Sequence, residues 1–213
     1  MEITWYGLSC FRLVERGKAT IVTDPYDHRE IGSESLKLKS DVVTISHDAP
    51  GHNFVDAVKG APHLINGPGE YEIGGVFITG VSTNGSKKAT DETDNTLYVF
   101  DYGDVTVAHL GDLKRVPNQV QIETLGQVDI AMVPVGGGGG LNAAKAAEII
   151  NMLEPSIVIP MHYHTPGINV ELLPLSRFLK EMGLGEVHTR ESLIIKHSEI
   201  PEETRVEVLE LHK

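Results

Sequence analysis

The chain has 213 residues, of which 40% are hydrophobic and 23% are charged, and its formal net charge at pH 7 is −12. This composition predicts a globular protein with one domain over residues 1–213 and a well-buried core. The negative charge disfavours a nucleic-acid partner, because no stripe of lysine and arginine could release counterions from a phosphate backbone. No apolar run approaches the roughly 18 residues that span a bilayer, and the first residues lack the features of a secretory signal. We therefore expect a cytoplasmic protein with no membrane partner.

The pattern of apolar and β-branched residues predicts strands first and alternating strands and helices later. In chain order, the predicted strands lie in EITWYG, CFRLV, ATIVTD, DVVTIS, GVFITGV, TLYVFDYG, DVTVAHLG, VDIAMVPV and SIVIPM. Helices are predicted near Asn53–Lys59 and over Pro117–Leu125, Asn142–Leu153 and Val170–Met182. Turn residues in NGPGEYEIGG (66–75) and FDYGDV (100–105) predict hairpin connections. The polar segment 84–95 predicts a mobile surface loop.

The single cysteine, Cys10, lies within an apolar predicted strand. One cysteine cannot form an internal disulfide, and no neighbouring base in LSCF would activate its sulfur. We therefore expect a buried and unreactive thiol.

Histidines and carboxylates recur at the ends of the predicted strands. A rigid sheet can hold such side chains in fixed geometry while the adjoining loops leave a site open to ligands. The residues concerned are Asp24 in VTDP, His47 and His52 in ISHDAPGHN, His109 and Asp112 in AHLGD, and His162 and His164 in PMHYHTPG.

Several ordered motifs together resemble the metallo-β-lactamase superfamily, and more narrowly its small cytoplasmic hydrolases related to ascorbate-phosphate lactonases. The motifs are ITWYGLSCF, TDP, TISHDAPGHN, GPGEYEIGGVFITGV, AHLGDL and IPMHYHTPG, and they extend over nearly the whole chain. The resemblance implies an αββα sandwich, in which two mixed sheets lie face to face, helices cover the outer faces, and a metal site lies at one edge.

The metal-binding loop of that superfamily reads H-x-H-x-D-H, and this sequence departs from it. His47 and His52 match the first and last positions, whereas Ala49 replaces the second histidine and Gly51 replaces the aspartate. A further histidine of the family is missing after the FITGV strand, where residues 82–85 read STNG, and Leu8 stands where many relatives have a histidine. The motif therefore has the frame of a two-metal site with part of its ligands absent.

By the same resemblance, Asp112 matches the bridging aspartate and His162 the last histidine. One metal position would keep only His47, whereas the other would keep His52, Asp112 and His162. Two imidazoles and a carboxylate suffice for one divalent ion with open positions, such as zinc, manganese or iron. We therefore predict metal ligands at His47, His52, Asp112 and His162, with Asp112 also catalytic and His47 contributing least. The open alternative is that no metal binds.

Structural roles remain open for these residues. His47 and His52 could cap a helix, and Asp112 could be a turn residue. Asp24 is expected to accept hydrogen bonds that support the loop. His109 is interpreted as a core histidine, although His109 or His164 could replace a missing ligand.

The glycine run in PVGGGGGLNAAKAAEIINML could hold an anion at a helix N-terminus, or could simply connect a strand to a helix. It lacks the lysine of a nucleotide-binding P-loop. We favour the connection.

Two hypotheses for function follow. The first is a metal-dependent hydrolase of small anionic esters or lactones that uses one metal ion. The second is a non-catalytic protein that keeps the fold to bind a ligand or a partner chain. The substrate, the metal and the number of subunits, a homo-oligomer included, are left open.

Overall fold

A computed structural model describes residues 1–60, 62–83 and 95–212. Its strands, in chain order, are β1 (Glu2–Gly7), β2 (Cys10–Val14), β3 (Ile21–Thr23), β4 (Leu38–Lys39), β5 (Val42–Thr44), β6 (Val58–Lys59), β7 (His63–Ile65), β8 (Gly69–Ile73), β9 (Val76–Ser82), β10 (Thr96–Asp101), β11 (Thr106–His109), β12 (Ile130–Pro134), β13 (Ile157–Met161), β14 (Thr189–Arg190), β15 (Ser192–Ile194), β16 (Arg205–Val206) and β17 (Val208–Leu209). The α-helices are α1 (His28–Ile31), α2 (Gln119–Leu125), α3 (Ala143–Leu153) and α4 (Leu175–Glu181). Two 3₁₀ turns cover Val55–Ala57 and His197–Glu199.

Two mixed sheets form the body of the described chain. One has the strand order β15-β1-β2-β3-β5-β7, and it is antiparallel from β15 to β3 and parallel from β3 to β7. The other has the order β16-β13-β12-β11-β10-β9-β8, and it is parallel from β16 to β11 and antiparallel from β11 to β8. Short ribbons pair β4 with β6 and β14 with β17. The predicted α/β sandwich with two mixed sheets is confirmed.

The alternation of side chains along each strand separates two apolar regions. In β2, Phe11 and Leu13 belong to the large core that also holds Ile78 and Phe100 of the second sheet. Cys10, on the other face of β2, belongs to a smaller cluster with residues of α1, β4 and β6. Because successive side chains of a strand point to opposite faces, one sheet packs both a central core and an outer layer.

The outer layers differ in thickness. Helix α3 packs against α4 and β12, and α2 packs against β9, so helices cover the outer face of the second sheet. On the first sheet the cover is the single turn α1 with Ile31 and the β4–β6 ribbon with Leu38 and Val58. The outer layer on this side is therefore thin beside the loop that follows β5.

The nine predicted strands all form, with ends within a few residues of those expected. Helix α4 begins at Leu175 and not at Val170, because Pro174 restricts the residue before it and forces an extended approach. The predicted helix near Asn53–Lys59 is wrong beyond a 3₁₀ turn, since Val58 and Lys59 pair with β4.

The segment NGPGEYEIGG is more than a connection. Residues Gly69–Ile73 form β8, and Gly74 and Gly75 make the turn to β9 with φ of 54° and 76°. A two-residue hairpin turn with positive φ at both positions favours glycine. The hairpin predicted at FDYGDV joins β10 to β11 and is confirmed. Of the predicted loop 84–95, residues 84–94 lie outside the described residues.

Two further expectations concern Cys10 and the membrane. Cys10 is free and fully buried, and burial raises the pKa of its thiol well above its usual range, so the prediction of an unreactive thiol is confirmed. None of the described helices has the length and apolar character needed to cross a bilayer.

Docking of α4 on the sandwich can be tested with two phenylalanines. Phe178 in α4 is fully buried in the large core, whereas Phe77 in β9 is 56% exposed. Phe178→Ala should lower the free energy of unfolding by about 3–5 kcal/mol, because it leaves a cavity in a packed core. Phe77→Ala should change it by at most about 0.5 kcal/mol. Urea denaturation of both variants measures the difference, and equal effects would mean that α4 is not packed as described.

Candidate metal centre

The four predicted ligands meet at one edge of the two sheets. His47 and His52 lie on the loop after β5, Asp112 follows β11, and His162 follows β13 directly. The three imidazoles are buried, and the side chain of Asp112 is 13% exposed. Parallel strands place their carboxyl ends at the same edge, so these segments converge although they are far apart in sequence.

His47, His52 and Asp112 form the tightest described group. One ligand atom from each lies within 4.8 Å of the other two. The ring centroids of His47 and His52 are 4.2 Å apart, and those of His52 and His162 are 5.2 Å apart. Nδ1 of His162 lies 3.6 Å from Oδ1 of Asp112. The structure thus brings all four predicted residues together, with His162 beside the group of three.

The carboxylate of Asp24 holds the loop after β5 that carries His47 and His52. Its Oδ1 accepts a hydrogen bond from the Ser46 backbone N–H at 2.7 Å, and its Oδ2 accepts one from the Ser46 hydroxyl at 2.6 Å. Nδ1 of His52 lies 2.9 Å from the same Oδ2. Complete burial would raise the pKa of Asp24, but the hydrogen bond from His52, the nearby His109 and the bond from Ser46 outweigh it and lower the pKa. The expected supporting role of Asp24 is confirmed.

These hydrogen bonds decide which nitrogen each imidazole presents. An ionised carboxylate only accepts, so His52 donates through Nδ1 to Asp24 and leaves Nε2 with a free lone pair. The one hydroxyl hydrogen of Ser46 is used by Asp24, so the Ser46 oxygen, 3.0 Å from Nδ1 of His47, accepts from that nitrogen. His47 therefore also presents a bare Nε2. A partner on the far nitrogen is how proteins orient histidines that bind metals.

The surroundings of His47 and His162 keep these two imidazoles neutral at pH 7. Burial, together with the neighbouring His52, lowers the pKa of His47 to about 4. Burial likewise lowers the pKa of His162 to about 4, against the opposing effect of Asp112. Because a metal binds the neutral form of imidazole, both side chains are ready to ligate at neutral pH.

Two polar atoms of the site have no hydrogen-bond partner among the described residues. They are Oδ1 of Asp112 and Nδ1 of His162, and both are buried. Buried polar atoms without partners are rare, and an absent ion is one explanation for them. These atoms and the bare nitrogens of His47 and His52 form a donor set that suits zinc or a similar divalent ion.

The backbone around the centre is strained. Leu8, Asp24 and His162 have φ of 47°, 39° and 52°, in the left-handed region that residues other than glycine seldom adopt. The N–H of His162 donates to the carbonyl of Leu8 at 3.1 Å, which ties two of these residues together. Each such conformation costs about 1–3 kcal/mol and tends to occur at functional sites.

Position 51, where the family has an aspartate, is surrounded by apolar atoms. Gly51 has φ of 91°, and a Cβ added there would lie 3.2 Å from Cδ1 of Leu8 and 3.9 Å from Cγ2 of Ile31. An aspartate at this position would have a strained backbone, and its carboxylate would lie among apolar atoms, which is unfavourable for a charge. Leu8, which itself stands at a family histidine position, thus fills part of the space that a complete site would need.

Two residues that support the site, Asn95 and Ser46, were not predicted from the sequence. Oδ1 of Asn95 accepts from the Asp112 backbone N–H at 3.1 Å, and Ser46 links Asp24 to His47. Between them lies Gly111, where an added Cβ would stand 2.3 Å from Oδ1 of Asn95. One signal of this contact is present in the sequence, namely Gly111 in the run LGD. A glycine directly before a predicted ligand indicates that the chain approaches another segment closely there.

The two substitute ligands that were considered do not join the described group. Nε2 of His109 lies 2.9 Å from the Ser9 carbonyl, and the residue is fully buried, as expected of a core histidine. His164 is exposed. A cavity of about 520 Å³ is also separate from the centre: Tyr6, Tyr26 and Ile168 line it, and none of the four predicted ligands does.

A family model described as the beta-lactamase superfamily domain matches residues 2–162. The solved structure of a proposed zinc-dependent hydrolase of the metallo-β-lactamase superfamily, from Thermotoga maritima, is 37% identical, with a TM-score of 0.79. The comparison covers 98% of this chain and 97% of that chain.

Relatives identified by sequence belong to one family of similar name. A UPF0173 protein of Pyrococcus abyssi is 29% identical in an alignment of 191 positions that covers 78% of this chain and 85% of the relative. A UPF0173 metal-dependent hydrolase of Thermoplasma acidophilum is 27% identical in an alignment of 191 positions that covers 78% of this chain and 84% of the relative.

The anchoring role of Asp24 leads to a test on metal binding. Asp24→Asn places an amide donor against the donors of Ser46 or His52, so unfolding should become easier by about 1–3 kcal/mol. Zinc affinity should fall about 10- to 100-fold, because His52 loses its orienting partner. Asp48→Asn is the matched control, since Asp48 is exposed on the same loop. Calorimetric titration with zinc measures both variants, and parent-like affinity in Asp24→Asn would contradict the role.

Proposed function

This chain belongs to the metallo-β-lactamase superfamily and to its metal-dependent hydrolases, and we propose that it hydrolyses small anionic esters or lactones with a single divalent ion. The ion would be held by His47, His52, Asp112 and His162, and zinc, manganese and iron all suit these ligands. The observation that carries the proposal is the set of ligand atoms of His47, His52 and Asp112 within 4.8 Å of one another.

A single ion is favoured because the ligands of a second one are missing. Ala49 and Gly51 offer no side-chain donor, and the surroundings of Gly51 are the apolar atoms of Leu8 and Ile31. The remaining donors are three imidazoles and one carboxylate, a number that fits one ion. When bound, a divalent ion supplies Lewis acidity that polarises a substrate oxygen and makes water more acidic.

Asp112 is the residue suited to take a proton. Both oxygens of Asp24 are occupied by hydrogen bonds from Ser46 and His52. Asp112 has no such hydrogen bond on its buried Oδ1, and its side chain as a whole is 13% exposed, so the carboxylate could ligate the ion through Oδ1 and take a proton at its other oxygen. A carboxylate with a free lone pair near the attacking water can act as general base. The family aspartate at position 51 is absent, so this role passes to Asp112.

The charge near the site supports an anionic substrate. Lys114 follows Asp112 by two residues and is close enough to help lower the pKa of His47. The chain as a whole has a formal charge of −12, so a lysine here makes the centre locally less negative than the surface around it. A positive charge beside a metal centre attracts phosphate or carboxylate groups.

The competing function is a binding protein without catalysis. The observation that favours it is the loss of side-chain donors at Ala49 and Gly51. A family member that had lost its metal would keep the fold while the four remaining polar residues served only to support the loop. Metal content separates the two functions.

His162 provides the main test of the proposed function. The parent should bind one equivalent of zinc, and His162→Ala should lower the affinity by more than about 100-fold, beyond the loss typical of groups that merely orient ligands. His164→Ala is the matched control, because His164 is exposed and lies two residues away.

Isothermal titration and elemental analysis give affinity and stoichiometry. Two equivalents in the parent would contradict the single ion, and none would favour the binding protein. Zinc-loaded parent and His162→Ala should then be compared on an aryl phosphate and an aryl lactone, with hydrolysis expected for the parent alone.

His47 tests how the ligands act together. The family pattern alone predicts the smallest effect for His47→Ala, because the other ligands of its position are absent. The structure, however, groups His47 with His52 and Asp112. We therefore expect His47→Ala to weaken zinc binding at least 10-fold. Unchanged affinity in the same titration would mean that the ion is held by His52, Asp112 and His162 alone.

A further inference from the structure

The glycine run 136–140 lies directly against two of the predicted ligands. A Cβ added to Gly140 would lie 2.5 Å from Oδ1 of Asp112, and a Cβ added to Gly136 would lie 2.2 Å from the carbonyl oxygen of His162. Real Cβ atoms essentially never approach other atoms this closely. At its two ends, Gly136 and Gly140, the run therefore lies against the candidate centre with no room for a side chain.

We propose that Gly140 is a positioning residue, which sets the direction in which Asp112 presents its carboxylate to the metal centre. The proposal rests on the proposed function and deepens it. What it adds is a reason for a glycine at the end of the run, beyond the flexible connection predicted from the sequence.

The reason for glycine at position 140 is space and not backbone conformation. Gly137, Gly138 and Gly139 have φ of 67°, 65° and 94°, where any other residue is strained. The φ of Gly140 lies outside that left-handed range. The methyl group of Gly140→Ala thus makes its one prohibitively close contact with Asp112, whereas the carbonyl oxygens of Gly137 and Leu113 lie 3.2 Å and 3.4 Å away.

The carboxylate is the part that would yield. The backbone N–H of Gly140 donates to the carbonyl oxygen of Gly137 at 3.0 Å. The N–H of the next residue, Leu141, donates to the carbonyl oxygen of Leu113 at 3.0 Å, so the backbone is held on both sides. The backbone of Asp112 is held by Asn95 at 3.1 Å. Oδ1 of Asp112, by contrast, has no hydrogen bond and ends a short side chain with two torsions. A methyl group at position 140 therefore turns the carboxylate and leaves the two backbones in place.

Gly136 would not give the same clean result. There the added Cβ meets the carbonyl of His162 and, at 2.6 Å, Cα of Tyr163. Both are backbone atoms that cannot rotate away, so alanine at position 136 would disturb the fold itself. Gly140 is the position at which the effect on the ligand can be separated from the effect on folding.

The experiment compares Gly140→Ala with Gly139→Ala. A Cβ at Gly139 meets nothing within 4 Å, but its φ of 94° makes alanine strained. Gly140→Ala should lower zinc affinity about 10- to 100-fold, as for other groups that orient a ligand, with an unchanged urea midpoint in the metal-free protein. Gly139→Ala should lower the midpoint and keep parent zinc affinity. The reverse pattern would overturn the proposal.

Two further measurements separate this proposal from the proposed function. In an Asp112→Ala background, Gly140→Ala should have no added effect on zinc affinity, because the group that it displaces is gone. A crystal structure of metal-free Gly140→Ala should show Oδ1 of Asp112 moved from its place 3.6 Å from Nδ1 of His162. If the parent bound no zinc, the proposed function would fail, and this crystal structure would still decide the positioning role: an unmoved carboxylate with a shifted turn would overturn it.

Discussion

The candidate centre depends on the hydrogen bonds that the buried carboxylate of Asp24 accepts. This carboxylate lies at the end of β3 and accepts hydrogen bonds from the Ser46 backbone, the Ser46 hydroxyl and His52. A buried charge without partners would be very costly, so these donors are required for Asp24 to stay ionised. In return, the carboxylate orients His52 directly and His47 through Ser46. One charge in the sheet thus determines the geometry of a loop that has little regular structure of its own.

The strands could be predicted from the sequence because apolar runs with β-branched residues mark buried strands, whereas their arrangement in two sheets was implied by the family resemblance. What the sequence could not indicate were short elements that form only by pairing, such as Val58–Lys59 with Leu38–Lys39. The strand Gly69–Ile73 was hidden by its glycine and glutamates, since it lies at the edge of a sheet and needs only one face to be apolar.

The residues that meet at the candidate site could be predicted from the sequence, whereas the residues that support them could not. His47, His52, Asp112 and His162 end strands, and the family resemblance gave them an order. Ser46 and Asn95 act through hydrogen bonds between segments that are distant in sequence, so no local pattern reveals them. The same holds for Leu8, whose side chain meets position 51 only in the folded chain. Contacts of this kind depend on tertiary structure alone.

The hydrogen bond between Leu8 and His162 has a consequence for the order in which the site forms during synthesis. The carbonyl of Leu8, near the start of the chain, accepts hydrogen bonds from the Trp5 indole and from the N–H of His162, just after β13. During synthesis β1, β2, β3, β5 and β7 of the first sheet emerge from the ribosome before β13, whereas β15 of that sheet follows it. The turn at Leu8 must then wait for the segment that completes it, and a nascent chain has an incomplete set of ligands until that segment arrives. On the proposed function, the full set of four residues could hold an ion only after this segment has joined the other three.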